Sequence, residues 1–131
     1  VVDSAKEDLK GIVMSETNGV GADVVIVAIG IPALVNPSIE LVRKNGSICL
    51  FAGFTKGVKE EIDPNLIHYG EIRMCGSSAY RRQDYQEAAQ MVMSGAVDMK
   101  PIITNVFKIE DFQKAYEAVK SGADLKVEIE P

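Results

Sequence analysis

An α/β fold built on a parallel sheet is what this sequence predicts, and three features carry that expectation. The run Val24 to Ile29 is apolar without a break and is bounded by Gly21 and Gly30. It is short and β-branched and has no period of two, which fits a strand buried on both faces. Segments with a helical period alternate with short apolar runs along the chain, the order that gives parallel strands joined by helices. Finally, Phe112, Ala115, Tyr116 and Val119 repeat at i, i+3, i+4, i+7, the stripe of an amphipathic helix.

Taken in order, Val1 to Asp3 reads as the tail of a strand. Ser4 and Glu7 have capping-box spacing, and Leu9, Ile12 and Val13 supply one apolar helical face that stops near Asn18-Gly19. The organising strand, Gly21 to Gly30, follows. Asn36-Pro37 pairs a good N-cap with a tolerated first helical residue, so a helix is expected from Pro37 to Lys44, stopped by Asn45-Gly46. Ser47 to Ala52 is a second apolar strand closed by Gly53, and Thr55 to Glu61 is loop. Asp63-Pro64 opens a short helical turn to about Tyr69.

Glu71 to Gly76 is a more polar strand and a candidate sheet edge. Asp84 and Glu87 have the spacing of another capping box, opening a helix that runs to Gly95. Pro101 to Phe107 reads as extended. After the Phe112 to Val119 helix, Ser121-Gly122 is a stop, and Leu125 to Glu130 alternates as a last strand with one wet face. No repeat, low-complexity segment or long linker divides the chain.

Composition narrows the function classes. The chain has 131 residues, 47% hydrophobic and 25% charged, with a formal net charge of −5. An acidic chain of this kind lacks the basic footprint of a nucleic-acid binder. No apolar run approaches the about 20 residues of a membrane span. No targeting signal is visible, and the first residue, Val1, suggests a processed or truncated product. Cys49 and Cys75 sit in apolar stretches, outside any Cys-x-x-Cys pair, and read as reduced and buried. These features make the cytoplasm the default location.

Five pieces of the chain, in register, carry a family resemblance: GADVVIVAIG, LVRKNGSICLFAGF, IDPNLIHYGEIRMCGS, SGAVDMKPIIT and AYEAVKSGADLKVEIEP. Together they resemble the carboxyl half of medium-chain dehydrogenases, and are most similar to the zinc-dependent alcohol, sorbitol and threonine dehydrogenase branch. FAGF and NLIHY favour the polyol relatives. The resemblance implies a partial Rossmann-like, doubly wound parallel sheet with helices on both faces, the first half of the nucleotide fold being absent. It implies that residues 1–131 are the carboxyl-terminal portion of a nucleotide-binding domain, with the last strands returning toward a catalytic domain. It further implies hydride transfer between a secondary alcohol or polyol and NAD or NADP, with zinc polarising the oxygen in the complete enzyme.

Departures from the family pattern limit what this chain does by itself. No G-x-G-x-x-G turn is present; Gly19-Val20-Gly21 precedes a strand instead of joining a strand to a helix. Nothing matches the Cys, His and Glu zinc ligands, and Val27 stands where relatives often carry an acid. The chain alone is therefore expected to be inactive and to bind NAD weakly or not at all. The resemblance places the nicotinamide half of the cofactor over Ala28, Ile29 and Gly30 and over Phe51, Ala52 and Gly53. From spacing alone, Gly30 and Gly53 simply end strands. Lys126 matches a basic position that approaches cofactor phosphates in relatives; a solvated surface lysine is the equal alternative. His68, the sole histidine, lies in NLIHY, outside the family's zinc site, and reads as a packing or capping residue. Arg73, Arg81 and Arg82 could meet an anion but read as solvated, and Tyr80, Tyr85 and Tyr116 as packing residues.

By resemblance, a homodimer forms through the edge strand near Glu71 to Ser77. Two other readings stand beside the dehydrogenase portion. One is a non-catalytic, oligomerising half-domain, whose organising strand would leave an unpaired apolar edge. The other is a portion of a zinc-independent, quinone-reductase-like member.

Overall fold

The computed structural model describes residues 1–131, which divide into two compact units, Val1–Ala79 and Tyr80–Pro131. The first unit is built on helix α1 (Leu9–Glu16), strand β1 (Ala22–Val27), helix α2 (Val35–Ile39), strand β2 (Val42–Leu50), helix α3 (Pro64–Gly70) and strand β3 (Arg73–Gly76). Its sheet has the order β1-β2-β3, and both pairings are parallel. The second unit holds helix α4 (Arg82–Met93), strand β4 (Ile103–Lys108), helix α5 (Phe112–Ser121) and strand β5 (Lys126–Glu130). Strands β4 and β5 pair in parallel, with α5 as their connection, since parallel neighbours require a crossover.

The core of the first unit follows from the two-residue period of its strands. Val25, Val27, Ile48, Leu50 and Met74 share one face of the sheet, and α2 and α3 lay Val35, Ile39, Leu66 and Ile67 on it. Ile39 and Ile48 are the largest fully buried side chains. The alternate face carries Val24 and Ile26 on β1, 57% and 62% exposed, so in this chain the unbroken apolar run is buried on one side only. In the second unit the stripe on α5 turns Ala115 inward to full burial, while Phe112, Tyr116 and Val119 remain more than half exposed.

Several elements begin or end differently from the sequence expectation. Val1 to Asp3 joins no strand. Glu7 does reach back to a backbone amide, but to that of Asp3 at 2.7 Å, and the cap of α1 is Asp8, whose Oδ1 accepts from Gly11 N. The helix expected over Pro37 to Lys44 is only Val35–Ile39, and Val42 already belongs to β2. Two contacts explain this. Ala22 N donates to Leu41 O at 2.8 Å, pairing the chain at once with β1, and Arg43 Nε reaches Asp23 Oδ1 across the strands at 2.6 Å. Asn45, with φ +62°, then serves an irregularity within β2 and does not end a helix. Asn36 is not a cap either: its side-chain amide donates to Glu61 O at 2.7 Å, tying α2 to the loop before α3. The α3 start was legible, since Asp63 Oδ1 accepts from Asn65 N at 2.8 Å and Pro64 follows.

At the start of α4 the box is displaced by three residues from the Asp84–Glu87 expectation. Arg81 occupies the cap position, and Asp84 accepts from its backbone N at 2.8 Å and from its guanidinium at 2.8 Å. The Arg81 side-chain hydrogen bond, and then the backbone one, hold the Asp84 carboxyl below the ordinary carboxylate range. A carboxyl with a lowered folded pKa contributes stability that is complete above its unfolded value, about 3.9, and that fades as pH falls through the folded one. An acid titration of α4 helicity followed by NMR is therefore expected to show Asp84→Asn fraying the first turn at neutral pH. The same variant should match the wild type once Asp84 is protonated.

No helix of the chain is long and apolar enough to cross a membrane.

Candidate functional site

The carboxyl ends of β1 and β2 lie side by side because the two strands are parallel and in register from Val24↔Ser47 to Val27↔Leu50. Beyond that last pair the segments Ala28–Gly30 and Phe51–Gly53 leave the sheet together. The Val27 carbonyl accepts from both Phe51 N, at 3.1 Å, and Ala52 N, at 3.0 Å, which pins the second segment to the end of the first strand. Gly30 then meets Gly53 backbone to backbone: a Cβ at Gly30 would collide with the Gly53 carbonyl oxygen. Only glycine permits this approach at position 30. No such restriction applies at Gly53, where an added Cβ would meet nothing within 4 Å.

Six of the seven residues expected at the site are thus gathered in two adjoining backbone segments. Ala28, Ile29, Phe51 and Gly53 are exposed there, Gly30 and Ala52 half-buried. The surface they form is small-residue backbone flanked by Ile29 and Phe51, 52% and 59% exposed. Such a surface suits a flat ring that needs close approach and no charge. Beside it, an apolar pocket of about 180 Å³ is lined by Pro32, Val35, Leu50, Phe54 and Ile62. Lys126, the seventh residue, opens β5 in the second unit, paired with Ile103 and exposed.

Sequence reasoning did not find Val27 as the anchor of the second segment, nor Phe54 as a wall of the pocket. Both roles arise from contacts between segments far apart in the chain, and no local pattern marks them.

The remaining polar residues have structural partners. Arg73 donates to Asn45 O at 3.2 Å and to Ser47 Oγ at 3.4 Å, spanning β2 and β3. Lys44 pairs with Glu71 at 3.1 Å, and that hydrogen bond lowers the Glu71 carboxyl. His68 is exposed on the last turn of α3, edge-on to Tyr69 with ring centroids 4.8 Å apart. Tyr80 and Tyr85 stack on each other at 5.9 Å and are exposed. No three His, Cys, Asp or Glu side chains converge to hold a metal ion.

Comparison with known proteins decides the family. The family model described as zinc-binding dehydrogenase matches residues 1–94. The chain belongs to the zinc-binding dehydrogenase family. It is 32% identical over 130 residues to D-arabitol-phosphate dehydrogenase of Enterococcus avium, covering 99% of this chain and 37% of that one. Sorbitol dehydrogenase of Halalkalibacterium halodurans is likewise 32% identical, over 132 residues that cover 99% of this chain and 38% of the relative. Among solved structures, a chain described as a zinc-binding dehydrogenase from Sinorhizobium meliloti 1021, bound to NADP, superposes with a TM-score of 0.86 at 24% identity. That match covers 99% of this chain and 38% of the other. The chain therefore spans less than two fifths of the relatives it matches, and the medium-chain, Rossmann-like α/β fold expected from its sequence is established.

Proposed function

We propose that this chain is the carboxyl-terminal portion of the nucleotide-binding domain of a zinc-dependent, NAD- or NADP-linked alcohol or polyol dehydrogenase. One observation carries the reading: the contact between Gly30 and Gly53 at the carboxyl ends of adjacent parallel strands, where open α/β sheets take their ligands. The polyol substrate class is supported by the arabitol-phosphate and sorbitol dehydrogenases among the relatives.

In this reading Ala28–Gly30 and Phe51–Gly53 form one wall of the cofactor site. The residues present fit a nicotinamide ring, because the two segments offer small-residue backbone flanked by exposed, uncharged Ile29 and Phe51. The bound cofactor supplies a hydride acceptor or donor at that wall. Ile29 and Phe51 exclude water from one side of the ring, and the backbone segments orient it. Lys126, exposed on its strand, is assigned to the cofactor phosphates. The zinc of the family does not fit here, since no side-chain set of this chain can ligate it. The step in which the substrate oxygen is polarised therefore belongs to no residue of residues 1–131. A cytoplasmic location goes with this reading, since both thiols are free.

The purified chain is accordingly expected to hold no stoichiometric zinc and to transfer no hydride in a single turnover with NADH and a keto-sugar. Absorbance at the reduced-nicotinamide band and metal analysis check both. Single-turnover oxidation of NADH by residues 1–131 would contradict the proposal.

A second reading is favoured by two observations: both β1 and β3 are sheet edges, and Val24 and Ile26 are open on the free face. On this reading the chain is a non-catalytic module that associates through a strand edge, β3 near Glu71 to Ser77 by the family resemblance. Dimerisation through β3 is compatible with both readings. A dimer abolished by a proline at Met74, with no nucleotide effect at Gly30, would favour the second.

A further inference from the structure

Cys49 on β2 and Cys75 on β3 are register partners in adjacent parallel strands, so their side chains project from the same face of the sheet. That face is the open one. Cys75 is exposed and Cys49 half-buried, and both thiols are free. Their row continues to Ile26 on β1, which is apolar and exposed. The neighbouring row holds Ser47 and Arg73. No carboxylate or imidazole joins the pair to make a third ligand.

We propose that Cys49 and Cys75 form a two-thiolate site for a soft monovalent d10 ion, of which copper(I) is the type. Three physical points lead there. Thiolates select soft ions, while zinc asks for four donors in a tetrahedron, which this row cannot supply. On the scale of a zinc–thiolate bond, about 2.3 Å, two metal–sulfur bonds in line span roughly 4.6 Å, a separation that side chains on one face of strands about 4.8 Å apart can reach. A disulfide would instead draw the β-carbons to about 3.8 Å, against a sheet that holds the strands apart.

Binding replaces two S–H bonds by two metal–sulfur bonds and releases both protons to water, with no change of oxidation state. Burial, followed by the neighbouring Cys75, raises the Cys49 thiol, and the bound cation itself drives its deprotonation. The resulting unit carries one net negative charge, with the Arg73 guanidinium one row away on its own strand. The Cys75 Sγ is at present only weakly engaged, to Ile48 O at 3.7 Å, and little is lost on its release. Neither cysteine takes part in the cofactor wall.

The test is anaerobic titration of the chain with copper(I) in competition with bathocuproine disulfonate. One copper per chain is expected, on a chain whose oligomeric state copper does not change. Cys49→Ser and Cys75→Ser, each checked for unchanged circular dichroism, are each expected to lose that copper to the chelator. X-ray absorption at the copper edge of the wild type, which needs no variant, should show two sulfur neighbours. Failure of the wild type to retain copper would overturn the proposal. So would retention by Cys75→Ser, one copper bridging two chains, or a copper shell of three or more protein ligands.

Discussion

Replacing Ile48 by alanine is expected to destabilise the first unit by about 2–5 kcal/mol, the range for emptying a fully packed aliphatic site. Ile48 is 0% exposed and sits at the centre of the three-stranded sheet, between Val25 on β1 and Met74 on β3. Ile39 from α2 belongs to the same buried cluster. The loss combines the transfer energy of the removed carbons with the cavity left behind, since neighbours fixed in a sheet collapse poorly. Ile48→Val removes one methylene and is expected to cost about 0.5–1.5 kcal/mol. Urea denaturation followed by circular dichroism checks both. The contrasting control is Ile26→Ala on the open face, which should change the midpoint little because its side chain is already 62% exposed.

Gly30→Ala is the second substitution with a large expected effect, and it separates stability from function. The added methyl would run into the Gly53 carbonyl, a backbone atom that cannot swing aside like a side-chain tip. The two segments must part, which as overpacking is expected to cost about 1–3 kcal/mol. The wall they form should open with them, so the variant should lose whatever nicotinamide contact the wild type makes. Gly53→Ala tests the asymmetry: open space surrounds that position, and a smaller stability change is expected. Equal losses at the two glycines would mean that the close approach is not what matters.

Much of the fold was legible before the structure because local and long-range demands agree. The Val24 to Ile29 run becomes β1 through Val27, the capping Asp63-Pro64 pair opens α3, and the Phe112 to Val119 stripe becomes α5. What was not legible depends on partners distant in sequence. Val42 leaves the expected helix because Leu41 and Arg43 find β1. Arg81 displaces the expected cap because Asp84 can reach both its backbone and its guanidinium. Two-sided burial of β1 was inferred from an unbroken apolar run, yet the run reports only an ability to be buried, and Val24 and Ile26 stand open in this chain. Cys49 and Cys75 read as independent buried thiols in the sequence, and only the β2–β3 register makes them neighbours.

The site divides along the same line. Resemblance gathered Ala28–Gly30 and Phe51–Gly53 into one candidate surface, and register brings the two segments together. The reason Gly30 must be glycine lies in Gly53, which no local pattern could disclose.

Whether these two segments form a nicotinamide wall is decided by titrating isotopically labelled chain with NADH and following backbone amide resonances. Even weak binding moves such signals. Progressive shifts are expected, confined to Ala28–Gly30, Phe51–Gly53 and the rim of the adjoining pocket, and all lost in Gly30→Ala. Shifts that leave these residues untouched while others move would contradict that assignment.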